Sequence, residues 1–222
     1  MIALARFQVA GYARSMRALQ PLIVVFLLLA LVLQGSGGAD LSAGTLGDVA
    51  AFMFPIWAWT ARALLDTQPD EQRALSAMGT RHHAAAGVLA AYTVNVGLGI
   101  LVLAIPVAQA AAAGTGTAAI SAGLGLALLV ALAGTVLGAC TSRAIIPDPG
   151  ISLLAFITGV VAALLLSMSP ISWIAVPMVG WLRAAHDGPA AFAAAFPGVA
   201  LHLALWILAV GIAYLTLHRT RH

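Results

Sequence analysis

Six apolar runs divide this chain, at residues 21–34 (extended by small residues toward 38), 45–64, 84–108, 119–141, 151–168 and 197–217. About 20 helical residues, rising about 1.5 Å each, cross the roughly 30 Å hydrocarbon core of a bilayer. In hydrocarbon every backbone N–H and C=O must find a partner inside the protein, and a helix supplies those partners within one segment. The runs therefore predict an all-α integral membrane protein, a single transmembrane domain over 1–222 with six transmembrane helices. Composition agrees: 62% of the residues are apolar and 8% are charged, with a mean hydropathy of +1.04. A water-soluble domain carries roughly a quarter charged residues.

The charges that remain fall between the runs. All ten basic residues are arginine. With the N-terminus in the cytoplasm, Arg6, Arg14, Arg17, Arg62, Arg73, Arg81, Arg143, Arg219 and Arg221 lie inside and Arg183 alone lies outside, as the positive-inside rule requires. This places both termini inside a bacterial cytoplasmic membrane. The pI near 9.8 does not indicate nucleic acid, because the arginines are scattered at helix ends and form no continuous patch. Cys140 has no partner for an internal disulfide and is expected to be a small packing residue.

Three stretches outside the runs carry pattern. In 1–20, Ala5, Val9, Tyr12, Met16 and Leu19 recur at helical spacing, with Arg6, Arg14 and Arg17 opposite; this predicts an interfacial amphipathic helix with its stripe in the lipid boundary. An early apolar core with a small-residue cleavage site is lacking there, so no removable signal peptide is expected. The segment 66–83 is the most polar of the interior. Thr67 as N-cap, Pro69 in the first turn, Asp70 and Glu71 at the positive end, Leu75 and Met78 on one face and Gly79 as terminator predict a short helix outside the bilayer. Residues 169–196 are too apolar for a free loop and too broken by Pro177 and Gly180 for a crossing; they predict an external re-entrant hairpin of two short helices, with Trp173 and Trp181 at the interface.

Few residues offer chemistry. A phosphate-binding loop needs a lysine, and the chain has none, so ATP chemistry belongs to another polypeptide. His82 and His83 point about 100 degrees apart on a helix and no ligand follows at metal spacing, so no metal or other cofactor is expected in this chain. His202 and Trp206 share a face of the sixth run; a hydrogen bond from His202 to a neighbouring helix is the plainer expectation, and a relay or ligand role the sharper one. Asp48 sits near a helix end, where it helps to cap. Asn95 lies deep in the third run, where an interhelical hydrogen bond or a place on a substrate path both suit it. Trp57, with Asn95, His202 and Trp206, completes the candidate path. Ser121, Ser152 and Ser167 lack the surroundings of a nucleophile.

The layout resembles the permease subunits of ABC-2 type (type V) ABC transporters. The resemblance covers the chain in outline: an N-terminal helix with R-S-M-R-A-L-Q-P leading into the first span, a charged inner helix between the second and third, and a broken external hairpin between the fifth and sixth. The segment D-T-Q-P-D-E-Q-R-A-L-S-A-M-G-T-R is similar to the family's coupling helix. The resemblance implies that Pro69, Asp70, Glu71, Arg73, Leu75, Met78, Gly79 and Arg81 dock on a separate ABC ATPase subunit that holds ATP and Mg. Arg14, Arg17 and the loop at Arg143 would supply further contacts. It also implies a second permease copy or paralogue, no catalytic role for this chain, and export of a hydrophobic or amphipathic substrate. A six-span anchor for a soluble partner, or a lipid-modifying enzyme, are the other classes with this outline.

Overall fold

The structure is a computed structural model that describes residues 2–16, 19–32, 38–67 and 83–220. Among these residues it is helical throughout, with turns and no strand. The described residues form eight α-helices, in order: α1 (Ile2–Arg14), α2 (Leu19–Val32), α3 (Ala39–Leu65), α4 (His83–Ala112), α5 (Thr117–Cys140), α6 (Pro149–Ser167), α7 (Met178–His186) and α8 (Pro189–Thr220). Five of them, α3, α4, α5, α6 and α8, are long and apolar enough to cross a membrane. The first apolar run is described as α2 over 14 residues, and its continuation lies outside the described residues. Most of the segment 66–83, including the eight residues expected to dock on an ATPase, and Arg17 likewise lie outside them.

Glycine decides where the bundle closes. The most extensive helix contact joins α3 to α5, and at each crossing point α5 presents a residue without a side chain. A Cβ on Gly123 would stand 3.0 Å from Leu46; one on Gly134 would meet Trp57 Cβ at 2.9 Å and the Phe54 carbonyl at 3.0 Å. One on Gly138 would overlap the Ala58 carbonyl oxygen. Small residues let the backbones approach, which is how helices gain contact in lipid, where no hydrophobic drive separates helix from solvent. Leu46, Met53, Phe54, Trp57, Leu126 and Val130 fill the space around this axis, all fully buried. α3 and α5 are thus mostly enclosed, whereas α6 and α8 turn most of their surface outward, with Leu153, Leu154, Leu165, Leu201, Leu205 and Leu208 exposed.

Local signals set the ends. Asp148 caps α6 by accepting the Ile151 N–H at 2.8 Å, with Pro149 in the first turn, where its missing N–H costs nothing. Gly114 and Gly116 take φ of 72° and 88° to reverse the chain between α4 and α5.

Several expectations need correction. α3 starts at Ala39, so Asp48 lies inside the helix and caps nothing; the N-cap position is Gly38. Residues 189–196, expected as the second short helix of the hairpin, are the first turns of α8, which runs through Pro197. Alanine at 190, 191 and 193–195 has the highest helix propensity, and a proline inside a long apolar helix is tolerated where neighbours support it. α7 is the short helix that remains, and Trp181 on it is buried in the core instead of at an interface. Its indole donates to the Gly47 carbonyl at 3.3 Å, because Gly44 and Gly47 leave a groove on α3 that α7 enters. Trp173 is exposed. The stripe on α1 also differs: Ala5 and Tyr12 pack on α3 and α4 in place of lipid, joined by Gln8, while Met16 and Leu19 are exposed. The helix ends at Arg14, so its last two stripe positions fall beyond it.

Candidate functional site

Two places concentrate polar groups inside this apolar bundle. The first is at mid-depth. Asn95 on α4 is fully buried, and its Nδ2 donates to the Trp57 carbonyl on α3 at 3.0 Å and to the Thr135 hydroxyl on α5 at 2.9 Å. Trp57 answers by donating its indole N–H to the Asn95 carbonyl at 3.0 Å. Thr135 turns its own proton to the Ala131 carbonyl, so it can only accept from Asn95. Three helices are thereby clamped, each such bond being worth about 0.6 kcal/mol and up to about 1.7. Asn95 Oδ1 is buried and has no hydrogen-bond partner among the described residues.

The clamp borders a cavity of about 420 Å³ between α4 and α5. Trp57, Asn95, Gly99, Leu103, Leu128 and Ala131 are among its walls, and Asn95 is the one amide among them. Gly99 makes room there, since a Cβ would come within 3.3 Å of the Trp57 ring. The rim carries Ile100, Leu124 and Leu128, all exposed, so the space is reached sideways from the bundle surface. Of the four residues expected to line a path, the structure brings Asn95 and Trp57 together and leaves His202 and Trp206 apart on α8. Among the described residues the buried Nε2 of His202 has no hydrogen-bond partner, in contrast to the bond expected from sequence, and Trp206 packs against the core. A second apolar cavity, about 500 Å³, lies between α4, α5 and α8 around Tyr92, Val136, Gly211 and Tyr214.

The second place is at the end of the bundle where α3 stops. Asp66, buried, accepts the Arg143 backbone N–H at 2.8 Å and lies 3.8 Å from the Arg62 guanidinium. Arg62 donates to the Ser152 hydroxyl at 3.0 Å, and that hydroxyl donates to the Thr141 carbonyl at 2.6 Å. One chain of bonds thus links the end of α3, the loop after α5 and the start of α6. Ile145 of this loop packs in a cluster with Leu65, Ala84 and Tyr214. Thr67, expected to cap the next helix, donates back to the Ala63 carbonyl at 2.9 Å. α1 closes the same end, with Tyr12 wedged beside Ala61, Leu64 and Ala91. Burial pushes the Tyr12 phenol from its ordinary value near 10 up to about 12, against a smaller opposing effect of the neighbouring Thr60 hydroxyl. Arg14 is exposed on α1, and Arg143 keeps its side chain at the loop, reaching the Pro147 carbonyl at 3.4 Å.

At the opposite end the Asp48 carboxylate meets His186 Nε2 at 3.0 Å, half-exposed, pinning the last turn of α7 to α3. The Ser167 hydroxyl, at the end of α6, accepts the Val179 N–H at 2.9 Å and so anchors the start of α7. Sequence reasoning did not name Thr135 and weighed Ser152 and Ser167 only as nucleophiles, since a lone hydroxyl in an apolar run carries no signal of its partner until its neighbour is known. Among the described residues no group of three His, Cys, Asp or Glu is placed to hold a metal ion. Compared with known proteins, the chain matches no family model, no curated protein and no solved structure.

Proposed function

We propose that this chain is the permease subunit of an ABC-2 type transporter, driven by an ATPase on a separate polypeptide and moving a hydrophobic or amphipathic substrate outward. The observation that carries the reading is the bond from Asp66 to the Arg143 backbone. Asp66 heads the segment that resembles a coupling helix, and Arg143 begins the loop expected as the second inner contact. Because Arg62, Thr141 and Ser152 continue that bond into α3, α5 and α6, a push on either loop reaches three spans at once. A transporter needs such rigid transmission between two discrete packings of its bundle.

In this reading α2 completes a sixth span, both termini are cytoplasmic, and 169–188 forms a break dipping into the outer face before α8. Two permease subunits, identical or paralogous, pair in a bacterial cytoplasmic membrane with two ATPases, and the chain itself carries no catalytic residue. The anchor reading shares the docking segments but assigns no purpose to the bonds that tie both inner loops to the spans.

The test is capture of the tagged chain from its native membrane in mild detergent. A stoichiometric ATPase is expected, lost with the charge-swapped pair Glu71→Arg and Arg73→Glu while insertion persists. Recovery of the chain alone would refute the transporter reading. In a Cys140→Ser background, a cysteine at Ala112 should react with an impermeant maleimide on intact cells and one at Ser76 should not; the reverse pattern overturns the orientation.

A further inference from the structure

We propose that the outward face of α1 holds the headgroups of anionic phospholipids, with Arg6 and Arg14 as the phosphate contacts. The structure turns this helix round. The stripe expected in lipid is committed to protein, with Ala5, Gln8 and Tyr12 buried against α3 and α4. At about 100 degrees per residue those three share one side, and Ala3, Arg6, Phe7, Ala10, Ala13 and Arg14 occupy the other, all exposed. The depth of the contact sets what that side meets. Tyr12 packs beside Ala61 and Leu64, in the last turns of α3, and Gln8 lies beside Gly87, near the start of α4. α3 has 27 residues. At about 1.5 Å each it is about 40 Å long, against roughly 30 Å of hydrocarbon. Its ends therefore reach headgroup level, and α1 with them.

Charge names the occupant. α1 contains no acid, and neither of its arginines has an ion pair among the described residues. Asp40, Asp48 and Asp187 lie at the opposite end of the bundle, Asp66 accepts the Arg143 amide, and Asp148 caps α6. Two guanidiniums thus face outward at an interface without a carboxylate to answer them. Beside them Ile2 is 70% exposed and Phe7 63%. That combination fits lipid: apolar side chains enter the upper acyl chains, while arginine lays its apolar stem along them and keeps its head at the phosphates. A guanidinium takes a phosphate through two parallel N–H donors. A free phosphate ion would leave Ile2 and Phe7 uncovered, so the phosphate is that of a lipid. In phosphatidylcholine it is already offset by the choline cation; in phosphatidylglycerol it is not, and the anionic lipid is preferred. Arg6 and Arg14 stand about 12 Å apart along the helix, too far to share one phosphate, so each takes its own headgroup.

The experiment uses the purified full chain carrying Cys140→Ser and Ala10→Cys, with a bimane fluorophore on the new thiol between the two arginines. The chain is placed in nanodiscs that mix phosphatidylcholine and phosphatidylglycerol, one or the other brominated near the top of its acyl chains, and quenching gives the relative association constants of the two lipids at α1. Phosphatidylglycerol should bind about fivefold more tightly, the contribution of one arginine at an anionic surface. Salt at about 1 M should bring the ratio toward one, because exposed charges are then screened within about 3 Å. Arg6→Gln with Arg14→Gln should also bring it to one and leave the melting temperature unchanged, since both side chains are exposed. Arg219→Gln, which removes an exposed charge from α8 at the same end of the bundle, should leave the ratio as it was. Equal constants for the two lipids overturn the proposal and return Arg6 and Arg14 to a soluble partner. A preference that survives the paired arginine substitution, or the same loss from Arg219→Gln, overturns it as well. Lipid binding needs no ATPase, so this proposal and the transporter reading fail separately.

Discussion

Gly134→Ala tests the packing on which every other statement here depends. The new Cβ would lie 2.9 Å from Trp57 Cβ, 3.0 Å from the Phe54 carbonyl oxygen and 3.1 Å from the Ala58 nitrogen, about 0.5 Å inside ordinary contact at 3.4 Å. Two of those three atoms are backbone, so no rotamer change relieves them and α3 must retreat from α5 as a body. A gap of that size forfeits about a quarter of the dispersion attraction of the atoms that face across it. Overpacking of a well-filled core costs about 1–3 kcal/mol, and the helix propensity gained by replacing glycine returns about 0.5–1. With both ranges taken near their middle, the net loss is about 1–2 kcal/mol. For a chain of this size that lowers the melting temperature by about 2–8 °C, at roughly 2–4 °C per kcal/mol. Gly97 provides the control: it is exposed and a Cβ there meets nothing within 4 Å, so Gly97→Ala should leave stability unchanged or raise it slightly. The readout is the melting temperature of each variant in detergent, followed by size exclusion of a fluorescent fusion. A neutral Gly134→Ala, or an equal loss from Gly97→Ala, would refute the reasoning.

Other outcomes follow from the same contacts. Asn95→Leu and Thr135→Val should each destabilise, and in a double-mutant cycle they should couple by about 0.6–2 kcal/mol, because Nδ2 and the Thr135 oxygen share one bond; additivity would show that the bond is worth nothing. Tyr12 packs as a neutral phenol with its pKa raised above the unfolded value near 10 to about 12. Its contribution is therefore complete below pH 10 and lost as pH rises from 10 to 12, and Tyr12→Phe should flatten the fall of melting temperature across that window. Asp66→Ala should free the Arg143 amide, raising its hydrogen-exchange rate; unchanged protection would place the loop's anchor elsewhere. Asp48→Asn should lower stability by less than about 1 kcal/mol, since the pair with His186 is half-exposed.

The membrane character of this chain was legible because it is a property of length and composition. Twenty apolar residues in a row have few other outcomes, and α3, α4, α5, α6 and α8 appear where the runs predicted them. Signals confined to one turn act locally in the same way: Asp148 and Pro149 start α6 two residues before the run at 151, and Gly134 with Gly138 lies on the face of α5 that α3 meets. The same logic failed at Pro197, where a local breaker was overruled by the alanines before it and by the packing of α8 on α5 and α7.

Partnership was decided by the tertiary structure alone. In a soluble helix the apolar stripe announces the buried face, but α4, α5, α6 and α8 are apolar all round, so sequence does not separate the side that meets protein from the side that meets lipid. Nothing in the order of residues says that Asn95 finds Trp57 and Thr135 while His202 Nε2 finds no partner among the described residues, or that Ser152 bridges Arg62 to Thr141. Those pairings rest on how far each helix turns about its own axis. That turn is set by glycines through the approach they allow: Gly138 against the Ala58 carbonyl, Gly47 beneath Ala185 and Trp181. The sequence by itself determined that the chain crosses a membrane as helices with its arginines at their ends; the tertiary structure decided which few polar groups inside that apolar bundle meet, because contact in lipid is chosen by shape.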